Sequence, residues 1–360
     1  MTLKVVVDAT AMPGLRAGAA AYVVELLRAV DPAVADVHAL ANERDAAALA
    51  SLLPKATVHG VRVGGRLSRI AWAHTLLARR VNALRPDVFH GPHYTLPSGL
   101  RCPAVVTFHD PTFFSHPQLH ERSKVAYFTR TARSGIARSA RVIAISEYAR
   151  RGAVELAGAD PDRVDVVLHG VDTARYSPAE RQPPHDPFVL FVGTLEPRKD
   201  VPSLVAAWDE LDLPHRLVIA GQRGWGMDAI DRAIAGARRT PLVKGYVSED
   251  EKIALYRAAD AFVYPSIAEG FGLPVLEAMA CGTPVVTTMG SAPEEVAAGS
   301  ALLVPPGDVT ALRAAIASVL TDATLAADLR RRGVDRASAF TWTSAAERTV
   351  DVWRRAAEGA

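Results

Sequence analysis

Two glutamates eight residues apart bracket a glycine-rich loop in the stretch Glu269-Gly-Phe-Gly-Leu-Pro-Val-Leu-Glu277. An apolar run, Ala261-Phe-Val-Tyr-Pro265, precedes it and reads as a strand. Pro274 suits the first turn of a helix, where its missing N–H would be unpaired anyway. A strand, a glycine turn and a helix start present backbone N–H groups to an anion such as phosphate. The two acids need other work, because a carboxylate repels phosphate. They suit hydroxyl donors, such as a ribose or a sugar ring. Taken singly, each also fits a plainer reading: a solvated acid on a turn, or an acid favoured by the dipole at a helix start.

Two further clusters sit at strand ends. The run Phe188–Val192 leads into Gly193-Thr194-Leu-Glu196-Pro-Arg198-Lys199-Asp200. Adjacent Arg and Lys beside a glycine turn can grip two phosphates, Arg through its planar fork and Lys as a point charge. The run Pro103–Phe108 ends in His109-Asp110. Residues at the carboxyl ends of parallel strands face the ligand crevice, so His109 is a candidate for sugar contact or proton handling. His90 and His93, after the short run Asp87-Val-Phe-His90, are secondary candidates for lining that crevice.

The elements that must position these residues alternate, strand then helix, along the whole chain. That pattern predicts α/β domains with parallel sheets. The 360 residues suffice for two domains, and 49% apolar with 22% charged residues is a globular composition. A proline-rich stretch from Ser177 to Pro187 marks the boundary between them. Helices are expected over about Ala19–Val30, over 66–84, over about His120–Ala140, and from Ser146 and Ser248 as N-caps. The last helix, from about Thr341, carries Trp342, Ala346, Thr349 and Trp353 near one stripe and is expected to pack across the domain junction. No GxGxxG follows the first strand, Leu3–Val7, which excludes a dinucleotide fingerprint there.

Cys102 and Cys281 lack metal-ligand spacing and read as reduced thiols in a cytosolic protein. The N-terminus reads as a strand and not a signal peptide, and no 18-residue apolar run occurs. Charge is uneven: to Tyr176 there are 22 Lys+Arg against 15 Asp+Glu, and beyond it 19 against 24. A basic first half suits an anionic acceptor or an anionic membrane face, or is simply an Arg-rich surface.

The Glu269–Glu277 element, continued by Ala278-Met-Ala-Cys-Gly-Thr-Pro-Val-Val286, resembles the donor-sugar motif of retaining GT-B glycosyltransferases in glycosyltransferase family 4. Gly193-Thr-Leu-Glu-Pro-Arg-Lys199, Gly245-Tyr-Val-Ser248 and the His109-Asp110 segment resemble the same family, nearest its bacterial mannosyltransferase-like members. His169-Gly-Val-Asp172 looks like the family's Asn-Gly-Val-Asp, with histidine in place of asparagine. The resemblance implies two Rossmann-like domains facing across a central cleft. Residues 1–176 would form the acceptor domain, joined by the C-terminal helix 341–360, and residues 188–340 the nucleotide-sugar domain.

By the same resemblance, His109, Arg198, Lys199 and Glu269 serve the transferred sugar and the departing diphosphate. Gly18, Gly193, Thr194, Tyr246, Val247, Phe271, Gly272, Leu273 and Glu277 hold the donor, with Glu277 on the ribose. The implied reaction moves a hexose from a nucleoside-diphosphate sugar, GDP-mannose or a UDP-sugar, to a hydroxyl of a glycan, glycolipid or small molecule. No metal, other cofactor or nucleic acid is expected, and the expected location is the cytoplasm or the inner membrane face. A same-fold epimerase, a pyridoxal-phosphate phosphorylase and a non-catalytic nucleotide-sugar-binding protein are the rival readings.

Overall fold

The structure, a computed structural model, describes residues 2–10, 19–63, 72, 75–179 and 186–359. Gly18 and the first part of the expected 66–84 helix lie outside the described residues; that helix is described over Leu77–Leu84. The chain forms two compact units, one of Met1–Ser115, Arg122–Gly170 and Trp342–Ala360, the other of His116–Glu121 and Val171–Thr341.

Among the described residues the first unit holds seven strands: β1 (Leu3–Asp8), β2 (Ala35–Asn42), β3 (Thr57–Val61), β4 (Val88–Gly91), β5 (Ala104–Phe108), β6 (Arg141–Ala144) and β7 (Val164–Val166). Their order is β3-β2-β1-β4-β5-β6-β7, and every pairing is parallel. The second unit holds β8 (Phe188–Val192), β9 (Arg216–Ala220), β10 (Leu242–Gly245), β11 (Ala261–Tyr264), β12 (Val285–Thr288) and β13 (Leu302–Val304). Their order is β10-β9-β8-β11-β12-β13, again all parallel. Both sheets are doubly wound, which explains why strands such as Val189–Val192 and Ala261–Tyr264 are apolar on both faces. In such sheets the chain reverses direction at a switch point, and ligands bind outside the strand carboxyl ends there. In the second unit that point lies between β8 and β11, which pair through Ala261 and Val189.

Local chemistry sets the helix starts. Ser146 accepts from the Ala149 N–H at 2.9 Å, and Ser248 forms a full capping box with Glu251. The expected helix from His120 begins later, at Arg122, because Pro117–Leu119 forms a separate 3₁₀ turn. The final helix, Trp342–Glu358, packs on helix Ala19–Ala29 and on β4, β5 and β6 of the first unit. It buries Ala345, Ala346, Thr349, Val350, Val352, Trp353 and Ala356, so its buried stripe is wider than the sequence spacing suggested. Among the described residues no single helix is long and apolar enough to cross a membrane.

Trp353 is fully buried in the core of the first unit, 350 positions from β1 in sequence. Trp353→Ala is expected to destabilise the protein by about 3–5 kcal/mol through lost contacts and a residual cavity. Urea unfolding of the two proteins measures this, and a loss below about 1 kcal/mol would mean that the helix does not hold the unit together.

Candidate active site

The loops after β8 and β11 meet at the switch point of the second sheet. After β8, Glu196 leads into a 3₁₀ turn, Pro197–Lys199, whose proline occupies the first turn. The Ile267 N–H donates to the Arg198 carbonyl at 2.9 Å and ties the two loops together. Glu269, Arg198 and Lys199, placed on separate duties by the sequence reading, form one buried cluster. Lys199 Nζ lies 2.5 Å from Glu269 Oε1, and Arg198 Nη1 lies 2.5 Å from Glu269 Oε2. Tyr264 and Ser266 also donate to Oε1, at 3.1 and 2.5 Å.

Four side-chain donors converge on this carboxylate, three on Oε1 and one on Oε2, so Oε1 is fully used and Oε2 keeps one lone-pair position. Burial alone would raise the Glu269 pKa, but the charges of Arg198 and Lys199 outweigh it and hold the group at about 2. Arg198 Nη2 reaches Glu196 Oε1 at 2.9 Å, so two cations face two acids. Lys199 Nζ also donates to Tyr264 Oη at 2.5 Å. An ammonium has three donors, so Lys199 keeps one N–H for a ligand.

The loop then turns through Gly272, the N-cap of helix Leu273–Ala280, at φ 102°. Only glycine takes that conformation without strain, and a Cβ there would also meet Pro293 at 3.1 Å. The Gly272 and Leu273 N–H groups have no protein partner among the described residues. Both lie at the positive end of the helix dipole. Phe271 is buried, edge-on to Phe340. Gly193 follows β8 and lies under Gly221, where a Cβ would sit 1.9 Å from the Gly193 carbonyl oxygen. Thr194 is partly buried beside it. Tyr246 is 67% exposed just past β10, with Val247 next to it.

Glu277 belongs to a second, separate cluster. Its Oε1 receives Lys252 Nζ at 3.0 Å and lies 3.3 Å from the Tyr176 hydroxyl, and its Oε2 accepts from the Tyr256 hydroxyl at 3.0 Å. Tyr176 also donates to Glu249, and Lys252 reaches Glu249 at 3.3 Å. Burial opposes the charge on Lys252, but Glu277 and Glu249 together raise its pKa. Sequence reasoning missed Tyr176, Lys252, Tyr256, Tyr264 and Ser266. Lys252 and Tyr256 stand four apart on one helix face, a signal open to inspection; nothing in the sequence ties Tyr176 to Glu277.

In the first unit, His109 lies at the end of β5 and its Nε2 is 2.6 Å from the Pro92 carbonyl. A carbonyl only accepts, so Nε2 carries the proton and Nδ1 is left as an acceptor. Tyr22, His93 and His169 have their rings 5.0, 5.9 and 6.1 Å away. His169 is buried in this cluster between Tyr22 and Trp342. Asp110 Oδ1 accepts from the Thr112 N–H at 2.9 Å, at the start of the short helix Thr112–Ser115. His90 needs a correction. It is fully buried, hydrogen-bonded to Thr107 at 2.8 Å and set edge-on to Trp353, so it is a packed core residue and lines no crevice.

Two family descriptions cover nearly the whole chain: "Glycosyltransferase Family 4" over residues 16–175 and "Glycosyl transferases group 1" over residues 172–336. The O-antigen chain mannosyltransferase B of Escherichia coli is 32% identical over 282 residues, 74% of each chain. The chain belongs to glycosyltransferase family 4. It is therefore an enzyme that moves a sugar from a nucleotide sugar to an acceptor. Another family relative, a D-inositol 3-phosphate glycosyltransferase of Catenulispora acidiphila, is 35% identical over 241 residues, 61% of this chain and 56% of that one. Sucrose-phosphate synthase from Thermosynechococcus elongatus matches 99% of this chain and all of its own, with a TM-score of 0.83 at 20% identity. The fold is GT-B, built from two parallel-sheet α/β domains.

Burial pushes His90 down to about 3 and His109 to about 4, although the Pro92 carbonyl and Asp110 pull His109 part of the way back. Unfolded, both titrate near 6.5. Between that value and about 4 the unfolded chain binds protons that the folded one refuses, so stability falls as pH drops through this window. His109 alone accounts for a loss on the order of 3 kcal/mol by pH 4. Glu269 acts in the same sense but at lower pH: it keeps its contribution until pH falls below its ordinary 4.5 and loses it toward about 2. Urea unfolding at pH 7 and pH 4.5 is expected to show the earlier, histidine-driven loss; equal midpoints would mean that these histidines are not held neutral.

Proposed function

We propose that this enzyme transfers mannose from GDP-mannose to an acceptor hydroxyl with retention of anomeric configuration. The observation that carries the donor site is the meeting, at one switch point, of Lys199 with a spare N–H and the unpartnered N–H groups of Gly272 and Leu273. All three are donors without an acceptor, which is what a diphosphate supplies. Glu269 holds Arg198 and Lys199 side by side against their mutual repulsion, and its Oε2 keeps one lone-pair position for a hydroxyl of the transferred sugar. Glu277 is not saturated and takes the ribose. Tyr246 and Val247 border the nucleobase, with Gly193 and Thr194 beside the diphosphate. His109 presents its unprotonated Nδ1 to a hydroxyl of the transferred sugar.

In the reaction, the bond between the anomeric carbon and the β-phosphate oxygen breaks, and a bond from that carbon to the acceptor oxygen forms. The acceptor's proton passes to the departing phosphate on the same face. Charge grows on that phosphate as the bond breaks, and fixed donors aimed at it stabilise the transition state more than the ground state. We assign this neutralisation to the side-chain cations and backbone N–H groups and not to a divalent metal. The acceptor is a glycan, glycolipid or small molecule. Two free thiols, Cys102 and Cys281, fit a reducing cytoplasm. Mannose is supported by the mannosyltransferase relative, and a UDP-sugar, as bound in the structurally similar Anabaena Alr3699/HepE, is the second reading.

Thermal unfolding with GDP, UDP, ADP, dTDP or CDP, each in excess chelator, tests the donor. A ligand bound only by the folded state raises the midpoint by mass action, and GDP is expected to raise it most. Stabilisation by UDP alone would replace mannose with the second reading, and no stabilisation by any would remove the metal-free donor site. Lys199→Ala is expected to cut turnover about 10²-fold or more, the scale of losing one charge-stabilising donor. Turnover within threefold of wild type would sink the phosphate role of Lys199.

A further inference from the structure

Tyr176 has one proton and two carboxylates within reach. Its hydroxyl is hydrogen-bonded to Glu249 and lies 3.3 Å from Glu277 Oε1, farther than either Lys252 or Tyr256 stands from Glu277. Among the described residues the Tyr256 hydroxyl donates to Glu277 alone, whereas Tyr176 reaches both carboxylates. Its ring is fixed, with the Lys252 ammonium 5.4 Å from its centre and the Tyr256 ring 6.5 Å away. The Glu277 side chain is only 14% exposed, so in the empty site it needs donors from the protein.

Lone-pair counting gives this contact a purpose. With Lys252, Tyr256 and Tyr176 all on Glu277, one of its four positions is open. With Tyr176 withdrawn, two are open, one on each oxygen, which is the number a ribose cis-diol requires. We propose that Tyr176 is a placeholder for a ribose hydroxyl: it shares its proton with Glu277 in the empty site and falls back wholly on Glu249 when the nucleotide arrives. The proposal rests on the reading that Glu277 holds the ribose. It makes Tyr176 a specificity-determining residue that competes with the donor and does not touch the reacting atoms. Glu249 sets the strength of that competition by how strongly it draws the shared proton.

The test is equilibrium binding of GDP, UDP and their 2′,3′-dideoxy counterparts to four proteins: wild type, Tyr176→Phe, Glu249→Gln and the double variant. Tyr176→Phe is expected to tighten the ribose forms about two- to tenfold, the worth of one hydrogen bond, and to leave the dideoxy forms unchanged. It should also lower the unfolding midpoint of the empty protein, which loses a donor to Glu277. Glu249→Gln is expected to act oppositely and weaken the ribose forms, because an amide holds the proton less well than a carboxylate. The double variant should then bind like Tyr176→Phe alone. A Tyr176→Phe protein that binds the ribose forms less tightly, or changes ribose and dideoxy forms alike, overturns the placeholder. If wild type itself binds ribose and dideoxy forms equally, the ribose reading of Glu277 fails, and that is visible before any variant is made.

Discussion

A carboxylate buried between two cations governs this protein's second unit. Glu269 is 7% exposed, and taking an isolated carboxylate that far from water is costly enough that it would normally protonate. Arg198 and Lys199 prevent that, and the dependence is mutual. The two cations are sequence neighbours, and Lys199 is 6% exposed. Without Glu269 their repulsion would act in a low-dielectric setting and drive the turn apart. Removing one partner of such a pair leaves an uncompensated buried charge, which costs more than the intact pair contributes. The tight 3₁₀ turn, the Ile267–Arg198 backbone bond and the donors Tyr264 and Ser266 all follow from keeping this carboxylate satisfied.

The two glutamates look alike in sequence and differ in chemistry because of what surrounds them. Glu269 sits in the loop, where β8 delivers a cationic turn and β11 delivers two hydroxyls. Glu277 sits on a helix, where its donors come from helix Glu249–Ala258 and from Tyr176. The first has three donors on one oxygen and a cation on the other, and fixes its neighbours. The second has fewer donors, and Tyr176 is the most distant of them. Spacing alone placed both beside a sugar nucleotide; the donors around each oxygen tell the two apart.

Features set by local rules were legible in the sequence. Alternating apolar runs and helices gave two parallel sheets. Pro274, Ser146 and Ser248 marked helix starts, and glycine turns marked the strand ends where ligands bind. What stayed hidden depended on distant partners. Glu269 and Lys199 are 70 positions apart, and no periodicity predicts that they touch. His90 and His109 both lie at strand ends, yet Trp353 covers the first and the second keeps a ring nitrogen open. The final helix showed its apolar stripe plainly, but the stripe could not say which unit would cover it.

Net charge misleads in the same way. The half of the chain beyond Tyr176 carries more acid than base, yet it holds the cationic pair proposed to meet the diphosphate. Exposed charges fade within about 8–10 Å at physiological ionic strength, so surface acids elsewhere on the unit weigh little at the loop. Within contact distance the balance is two cations against two acids, with helix N–H groups added. That near-neutral state suits an enzyme that must release a nucleoside diphosphate after each turnover. A strongly positive pocket would bind the product as tightly as the transition state, and uniform binding of that kind does not raise turnover.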